Sequence, residues 1–288
     1  MSIAVRTSDR KIRLWRDTRT GLTYAVLVGL SIVFLIPFFW MLSTSLTDAG
    51  KVIIRDRPWI PHPMVWRNYP EALTVLPFHL FLKNTLIVTL SCIFGQTLSA
   101  SLVAFGFSRM RFPGRNALFI LVLSTMMLPA QVTMIPTFIL FTKLRWIDTL
   151  KPLIVPAFFG GGAFFIFLLR QFFMTIPNEL EDAAKIDGCS PLGIYWNVAL
   201  PLSKPALATV AVFSFMAHWN DFMGPLIYIQ SMENKTLALG LYSFRSLHGT
   251  EYHLMMAAAI AVLLPVLIIF FSAQKYFVKG IILSGLKG

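Results

Sequence analysis

Five stretches of this chain contain no charged side chain: residues 21–47, 84–108, 116–142, 152–169 and 254–274. A hydrocarbon core about 30 Å thick is crossed by about 20 predominantly apolar residues in a helix, so stretches of this length read as membrane spans. A sixth stretch, 205–229, qualifies except for His218 and Asp221. The apolar residues fall in solid blocks, not in the stripes that line a soluble core. Only 13% of the 288 residues are charged, where soluble domains carry about a quarter. The expectation is an all-α integral membrane protein of six transmembrane helices with no separate soluble domain. The first block outruns a signal-peptide h-region, and no small-x-small site follows it, so it reads as a retained helix.

Charge then sets orientation. A net charge of +12 would suggest nucleic acid in a soluble protein, but in a membrane chain the commoner source is the excess of Lys and Arg in cytoplasmic segments. Arg6, Arg10, Lys11, Arg13, Arg16 and Arg19 crowd the N-terminal tail, and Arg109, Arg111 and Arg115 the turn after the second block. Both termini are therefore expected inside. The implied organisation is a basic tail (1–21), a six-helix domain (22–274) that includes a cytoplasmic loop (170–204), and a C-terminal tail (275–288). Pro37 is expected to kink the first helix, and 48–83 to form an outer loop without sustained helical period. Pro113-Gly114 marks a turn, while Pro129, Pro136 and the run Gly160-Gly161-Gly162 fall inside spans. Such residues serve either close helix packing or a broken helix beside a pathway, and both readings stay open. Cys92 and Cys189 belong to different depths, which argues against a disulfide. Enzyme chemistry finds no support. There is no phosphate-cradling G-x-x-x-x-G-K-[ST], His248 and His253 lack the H-E-x-x-H arrangement, and no G-x-S-x-G is present, so no catalytic residue and no metal site are expected.

The loop at 170–204 is too long for a simple connection. Within it, Glu179, Glu181, Asp182 and Asp187 face a single Lys185 in a chain otherwise short of acids. Asn178 is placed to cap a helix, with Glu181 three residues on completing a capping box. Leu180, Ala183 and Ala184 share one face, Glu181 and Lys185 pair on another, and Gly188 stands where a left-handed residue ends a helix. A second short helix begins with Ser190 as N-cap and Pro191 in its first turn. Leu192, Tyr195, Trp196 and Ala199 read as its apolar face, Pro201 as its stop, and Pro205 as the start of the next span. Helices this short need tertiary contacts to persist. A helix lying on lipid usually shows a basic polar face; an acidic one with alanines suits docking to a cytoplasmic protein.

The stretch DAAKIDG, then nine residues, then VALPLSKP resembles the E-A-A-x-x-x-G signature of ATP-binding-cassette importer permeases and its L-P-L-x-x-P continuation. The resemblance implies that the loop, between helices four and five, forms a coupling helix seated in a cleft of an ATP-hydrolysing subunit, the type I importer architecture. Asp182, Ala183, Ala184, Asp187, Gly188, Leu200, Pro201 and Pro205 take the motif positions. Asp182 replaces the usual Glu, and Val198 stands where Ile is common. HWNDFMGPL (218–226), SRMRFPGR (108–115) and the ending QKYFVKGIILSGLKG (274–288) are similar to the carbohydrate branch, specifically the maltose-type second membrane subunit. That resemblance implies a second, related permease, two ATP-binding subunits and an extracytoplasmic solute-binding protein as partners, in a bacterial or archaeal inner membrane. ATP and Mg belong on the partner, with no cofactor on this chain, lipid around it and no nucleic acid. A tail contact with the ATPase through Gly285, Lys287 and Gly288 is also implied.

Trp219, Asn220 and Asp221 are the candidate pathway residues. Asp221 lies well into the stretch 205–229, the fifth span in chain order, about 24 Å along it at 1.5 Å per residue. A charge at such depth costs about 2.5–3.5 kcal/mol on insertion scales and usually faces a cavity or a partner. Trp219 is then placed to stack on a sugar ring, with Asn220 and Asp221 on hydroxyls. The alternative is that Asp221 pairs with His218 or caps a helix. The function expected is ATP-driven, alternating-access import of a sugar or sugar derivative. A non-sugar solute such as a glycerol phosphate ester is the runner-up, and a passive channel or membrane enzyme is the different-class alternative.

Overall fold

A computed structural model describes residues 2–52, 54, 58–246 and 249–285 of the chain, with side chains described from 19 to 245 and from 250 to 272. The helices, in chain order, are α1 (Ser2–Ser45), α2 (Asn68–Val75), α3 (Phe78–Arg109), α4 (Arg115–Ser124), α5 (Ala130–Lys143), α6 (Lys151–Ile154), α7 (Ala163–Phe173), α8 (Asn178–Ile186), α9 (Pro191–Ile194), α10 (Leu200–Leu202), α11 (Lys204–Trp219), α12 (Met223–Tyr228), α13 (Leu237–Tyr242) and α14 (Tyr252–Gly285). Two-residue strands stand at Arg245–Ser246 and Gly249–Thr250. Four segments are long and apolar enough to cross a membrane: Arg19–Ser45, Phe78–Arg109, Lys151–Phe173 and Tyr252–Ser272. Two bent pairs bring the number to as many as six if each is taken as one span, Arg115–Met127 with Ala130–Lys143 at 97° and Pro191–Leu202 with Lys204–Trp219 at 79°.

Four of the six expected spans thus stand as long helices and the other two as bent pairs, and their outlines differ from those expected. Helicity in α1 begins at Ser2 and includes the basic tail, with Pro37 inside the helix. The segment 48–83 is not devoid of helix, since it holds α2 and the first residues of α3. Pro129 stands at the N-cap of α5, where its fixed φ and missing N–H suit a helix start, whereas Pro136 is carried inside α5. The fourth span is broken between Phe158 and Ala163 at the glycine run.

The chain divides into two compact units. In the first (1–72 and 248–260), the segment before α2 folds back on the end of α1. Buried Asn68 donates to the carbonyls of Ser45 and Thr47 at 2.8 and 2.9 Å. Trp59 packs edge-on to Trp40 with centroids 5.3 Å apart.

In the second unit (73–247 and 261–288), α3 is the central rod, packed most extensively on α7 and α11. Its small residues Ala100, Ser101 and Ala104 are almost fully buried and allow this approach. α3 supplies side-chain donors to carbonyls of the fourth span ahead of its break. Cys92 Sγ reaches the Leu153 carbonyl at 3.2 Å and Ser99 Oγ that of Ala157 at 3.1 Å. At membrane depth such groups need a protein partner, because lipid offers none. The glycine run has φ of +87°, +64° and +96°, and a Cβ on Gly161 would stand 2.6 Å from the Gln96 carbonyl oxygen. Conformation and close packing thus both require glycine there.

Candidate functional site

The loop between the fourth and fifth spans folds as two helical pieces. α8 runs Asn178–Ile186 and ends at Gly188, whose φ of +82° is the expected left-handed termination. Ser190 caps α9 by accepting from the Gly193 N–H at 3.1 Å, with Pro191 in the first turn. Asn178, however, is not the cap of α8. It is the first helical residue, Pro177 precedes it without a side-chain bond, and its Oδ1 accepts from Arg109 Nη1 instead. Glu181 likewise closes no capping box and turns toward Arg109 and Lys185. After α9 the backbone widens into a π turn at Tyr195–Ala199, followed by α10. Pro201 has no N–H to bond back into the preceding turn, which is the usual local cause of such widening.

The apolar face of the second piece is narrower than expected. Tyr195 and Ala199 are buried, and the Tyr195 hydroxyl pairs with Ser101 Oγ of α3 at 2.7 Å. Leu192 and Trp196 point outward. On α8, Ala184 is buried in a cluster with Phe105, Phe173, Ile194 and Tyr195. Leu180, Ala183 and Ile186 form an exposed stripe at spacing three, and Ile186 is 87% exposed.

Of the motif positions, Asp182, Ala183, Asp187 and Gly188 are exposed, Ala184 is buried, and Leu200 is partly buried against the same cluster. Pro201 is exposed within α10, and exposed Pro205 sits in the first turn of α11. Asp182, 67% exposed, meets Lys185 at 3.2 Å. Lys185 has its ammonium pKa raised by hydrogen bonds to Glu181 and then Asp182. Being exposed, these pairs are screened and weak.

Two functional candidates escaped the sequence reading. Arg109, at the end of α3, has a side chain only 8% exposed and makes an ion pair with Glu181 (16% exposed) at 3.4 Å. Its Nη1 also donates to Asn178, and its Nη2 to the carbonyls of Phe173 and Ile176. Breaking a buried pair of this kind by removing one partner typically costs about 3–5 kcal/mol. This contact, not the Lys185 pairs, fixes α8. In sequence Arg109 was one of several bases counted for orientation, and only its place at a helix end beside an acidic loop hinted at more.

Asp148 is the second, in the turn after α5. Its φ is +60°, and its N–H donates to the Tyr228 carbonyl at 2.8 Å. Its carboxylate accepts from the N–H groups of Ser231 and Gln230 at 2.8 and 3.0 Å and from Ser231 Oγ at 2.9 Å. These bonds, the Ser231 N–H foremost, hold its carboxyl pKa below the usual range.

The fifth span breaks where the sequence placed a continuous helix. α11 ends at Trp219 and α12 begins at Met223. Asp221 lies in the break, and its Oδ1 accepts from the Gly224 N–H at 3.1 Å, capping α12. A Cβ on Gly224 would stand 2.5 Å from Asp221 Oδ2, so only glycine leaves room for this carboxylate. Asn220 donates to the Met216 carbonyl at 2.8 Å, and no His218–Asp221 side-chain hydrogen bond occurs among the described residues. Trp219 is 3% exposed, stacked on Phe215 at 5.2 Å, and its Nε1 donates to the Val262 carbonyl at 3.3 Å. Its ring is thus taken up in packing within the chain. Of the proposed tail contact, Gly285 is the last residue of α14, and Lys287 and Gly288 lie outside the described residues.

Broken spans around a central rod, with a two-piece helical loop anchored between the fourth and fifth spans, define a multi-pass membrane transport subunit. The chain belongs to the binding-protein-dependent transport system inner membrane component family, whose model matches residues 96–283. It is 34% identical to the arabinooligosaccharides transport system permease protein AraQ of Bacillus subtilis over 90% of this chain and 92% of that one. It is 31% identical to the sn-glycerol-3-phosphate transport system permease protein UgpE of Yersinia pestis over 89% and 93%. A chain of a bacterial ABC transporter involved in the import of the acidic polysaccharide alginate superposes with a TM-score of 0.79 at 26% identity, covering 91% of this chain and 98% of that one.

Proposed function

We propose that this chain is one membrane half of an ATP-driven carbohydrate importer. It pairs with a second permease, two ATP-binding subunits that hold ATP and Mg, and an outer solute-binding protein, with both termini cytoplasmic. The observation that carries the reading is α8. Its inner side is committed to Ala184 packing and to Arg109, while Leu180, Ala183 and Ile186 present an apolar stripe on a helix with acids around it. A docked helix needs such a stripe, because buried apolar anchors supply most binding energy. Closure of the ATPase dimer would move α8, and the spans attached to it would reorient. The AraQ relative and the alginate transporter favour a carbohydrate cargo. The UgpE relative supports a phosphate ester as the second reading.

Vesicles carrying the assembled transporter test this. Labelled arabino-oligosaccharide is expected to accumulate, with glycerol 3-phosphate excluded. Ile186→Glu should abolish uptake and weaken ATPase co-purification about 30-fold, as loss of a hot spot of about 2 kcal/mol implies. Uptake persisting in Ile186→Glu with the ATPase absent would instead indicate a passive pore.

A further inference from the structure

α8 is held by one cation from a different span. Arg109 closes the C-terminal end of α3, yet its acceptors all lie beyond α3: the carbonyls of Phe173 and Ile176 where α7 ends, Asn178 Oδ1 at the start of α8, and Glu181 Oε2 one turn on. A planar guanidinium with five N–H donors can serve several acceptors at once, which an ammonium cannot do with fixed geometry. The ion pair is shielded, with Arg109 8% and Glu181 16% exposed. Besides these bonds, α8 is packed through Ala184, a single methyl in the apolar cluster with Ile194 and Tyr195.

We infer that Arg109 is a positioning residue for energy coupling, the latch through which displacement of α8 is delivered to α3. The exposed stripe on α8 engages the ATPase, and Arg109 on the opposite side converts that engagement into movement of the central rod. The inference rests on the proposed docking of α8, but separates from it. Docking uses Leu180, Ala183 and Ile186, and Arg109 touches none of them through the contacts above. Without the guanidinium, α8 stays bound to the ATPase while its motion is dissipated in the loop.

The test uses the full transporter in proteoliposomes. It compares wild type, Arg109→Gln, Arg109→Lys, Glu181→Gln and the Arg109→Gln/Glu181→Gln pair. Three quantities are read: ATPase subunits retained on purification, ATP hydrolysis stimulated by loaded binding protein, and solute moved per ATP. Arg109→Gln is expected to keep its ATPase subunits while solute moved per ATP falls about tenfold, within the usual range of coupling between sites. Arg109→Lys, which keeps the charge but not the fork, should fall part of the way. The double variant should be no worse than Arg109→Gln alone, since both changes remove one linkage. Unchanged solute moved per ATP in both Arg109 variants would overturn the inference. So would loss of the ATPase subunits from a folded Arg109→Gln, which would make Arg109 a docking residue. Failure of the docking reading is a separate result, in which Ile186→Glu keeps its ATPase subunits.

Discussion

Asp221 shows how one side chain is open to two readings until its neighbours are known. A carboxylate deep in an apolar stretch is costly unless something accepts it. In sequence the something can be a sugar hydroxyl or a backbone N–H. The Gly224 N–H at 3.1 Å assigns it to the start of α12, where it satisfies a helix-end donor. Asparagine retains an acceptor oxygen of the same reach; alanine does not. Asp221→Asn should therefore support uptake within about twofold of wild type. Asp221→Ala should lower the thermal stability of the purified protein by about 1 kcal/mol, the usual cost of a lost cap, and uptake with it. Equal loss of uptake in both variants, with stability intact, would return Asp221 to the substrate.

At the scale of elements, the positions of all six spans were legible, because an uncharged stretch of bilayer length has few alternatives. The breaks within them were legible only where proline or glycine marked them. Pro129 and Gly160–Gly162 did so, while the break at 220–222 is held by Asp221 and carries no such flag. The loop's two helices were also readable, from the Ser190 cap and Gly188, though the cap expected at Asn178 does not form. Its faces were not, since periodicity registers apolarity and not the identity of the neighbour. Tyr195 faces α3 while Leu192 and Trp196 face outward, and all three carry the same apolar signal. Arg109 stayed hidden for a related reason, being one base among many until the fold brought Glu181 to it. The glycine run permits a direct test. Gly161→Ala places a Cβ 2.6 Å from a backbone oxygen of α3 at a φ of +64°. It should destabilise the protein by about 1–3 kcal/mol, and Gly160→Ala, with open space around its Cβ, by less. Thermal unfolding in detergent ranks the two, and equal effects would show that backbone conformation alone matters there.

Across the second unit, α3 ties both of its ends to loops. At its C-terminus Arg109 grips α8. Near its N-terminus buried Asn84 donates to the carbonyls of Glu233 and Lys235 at 2.7 and 3.0 Å, and Thr85 Oγ1 accepts from the Leu237 N–H at 2.8 Å. About 37 Å of helix separate Asn84 from Arg109 at 1.5 Å per residue, so a rod of membrane-spanning length links the loop that holds α8 to segment 230–237. That segment is pinned from its other side by Asp148, which makes Asp148 the titratable part of the far clamp. Its carboxyl pKa is lowered below the 3.8 expected of it unfolded, chiefly by the Ser231 N–H. A carboxyl depressed in the folded state contributes stability above its unfolded pKa and loses it as the pH falls through the folded value. The contribution is thus complete at pH 7 and declines only below about pH 4. Asp148→Asn keeps an acceptor oxygen but not the charge. Its melting temperature should lie a few degrees below wild type at pH 7, and the gap should narrow as the pH falls below about 4. A gap that does not narrow as the pH falls from 7 through the acid range would mean that the charge on Asp148 contributes nothing to the clamp.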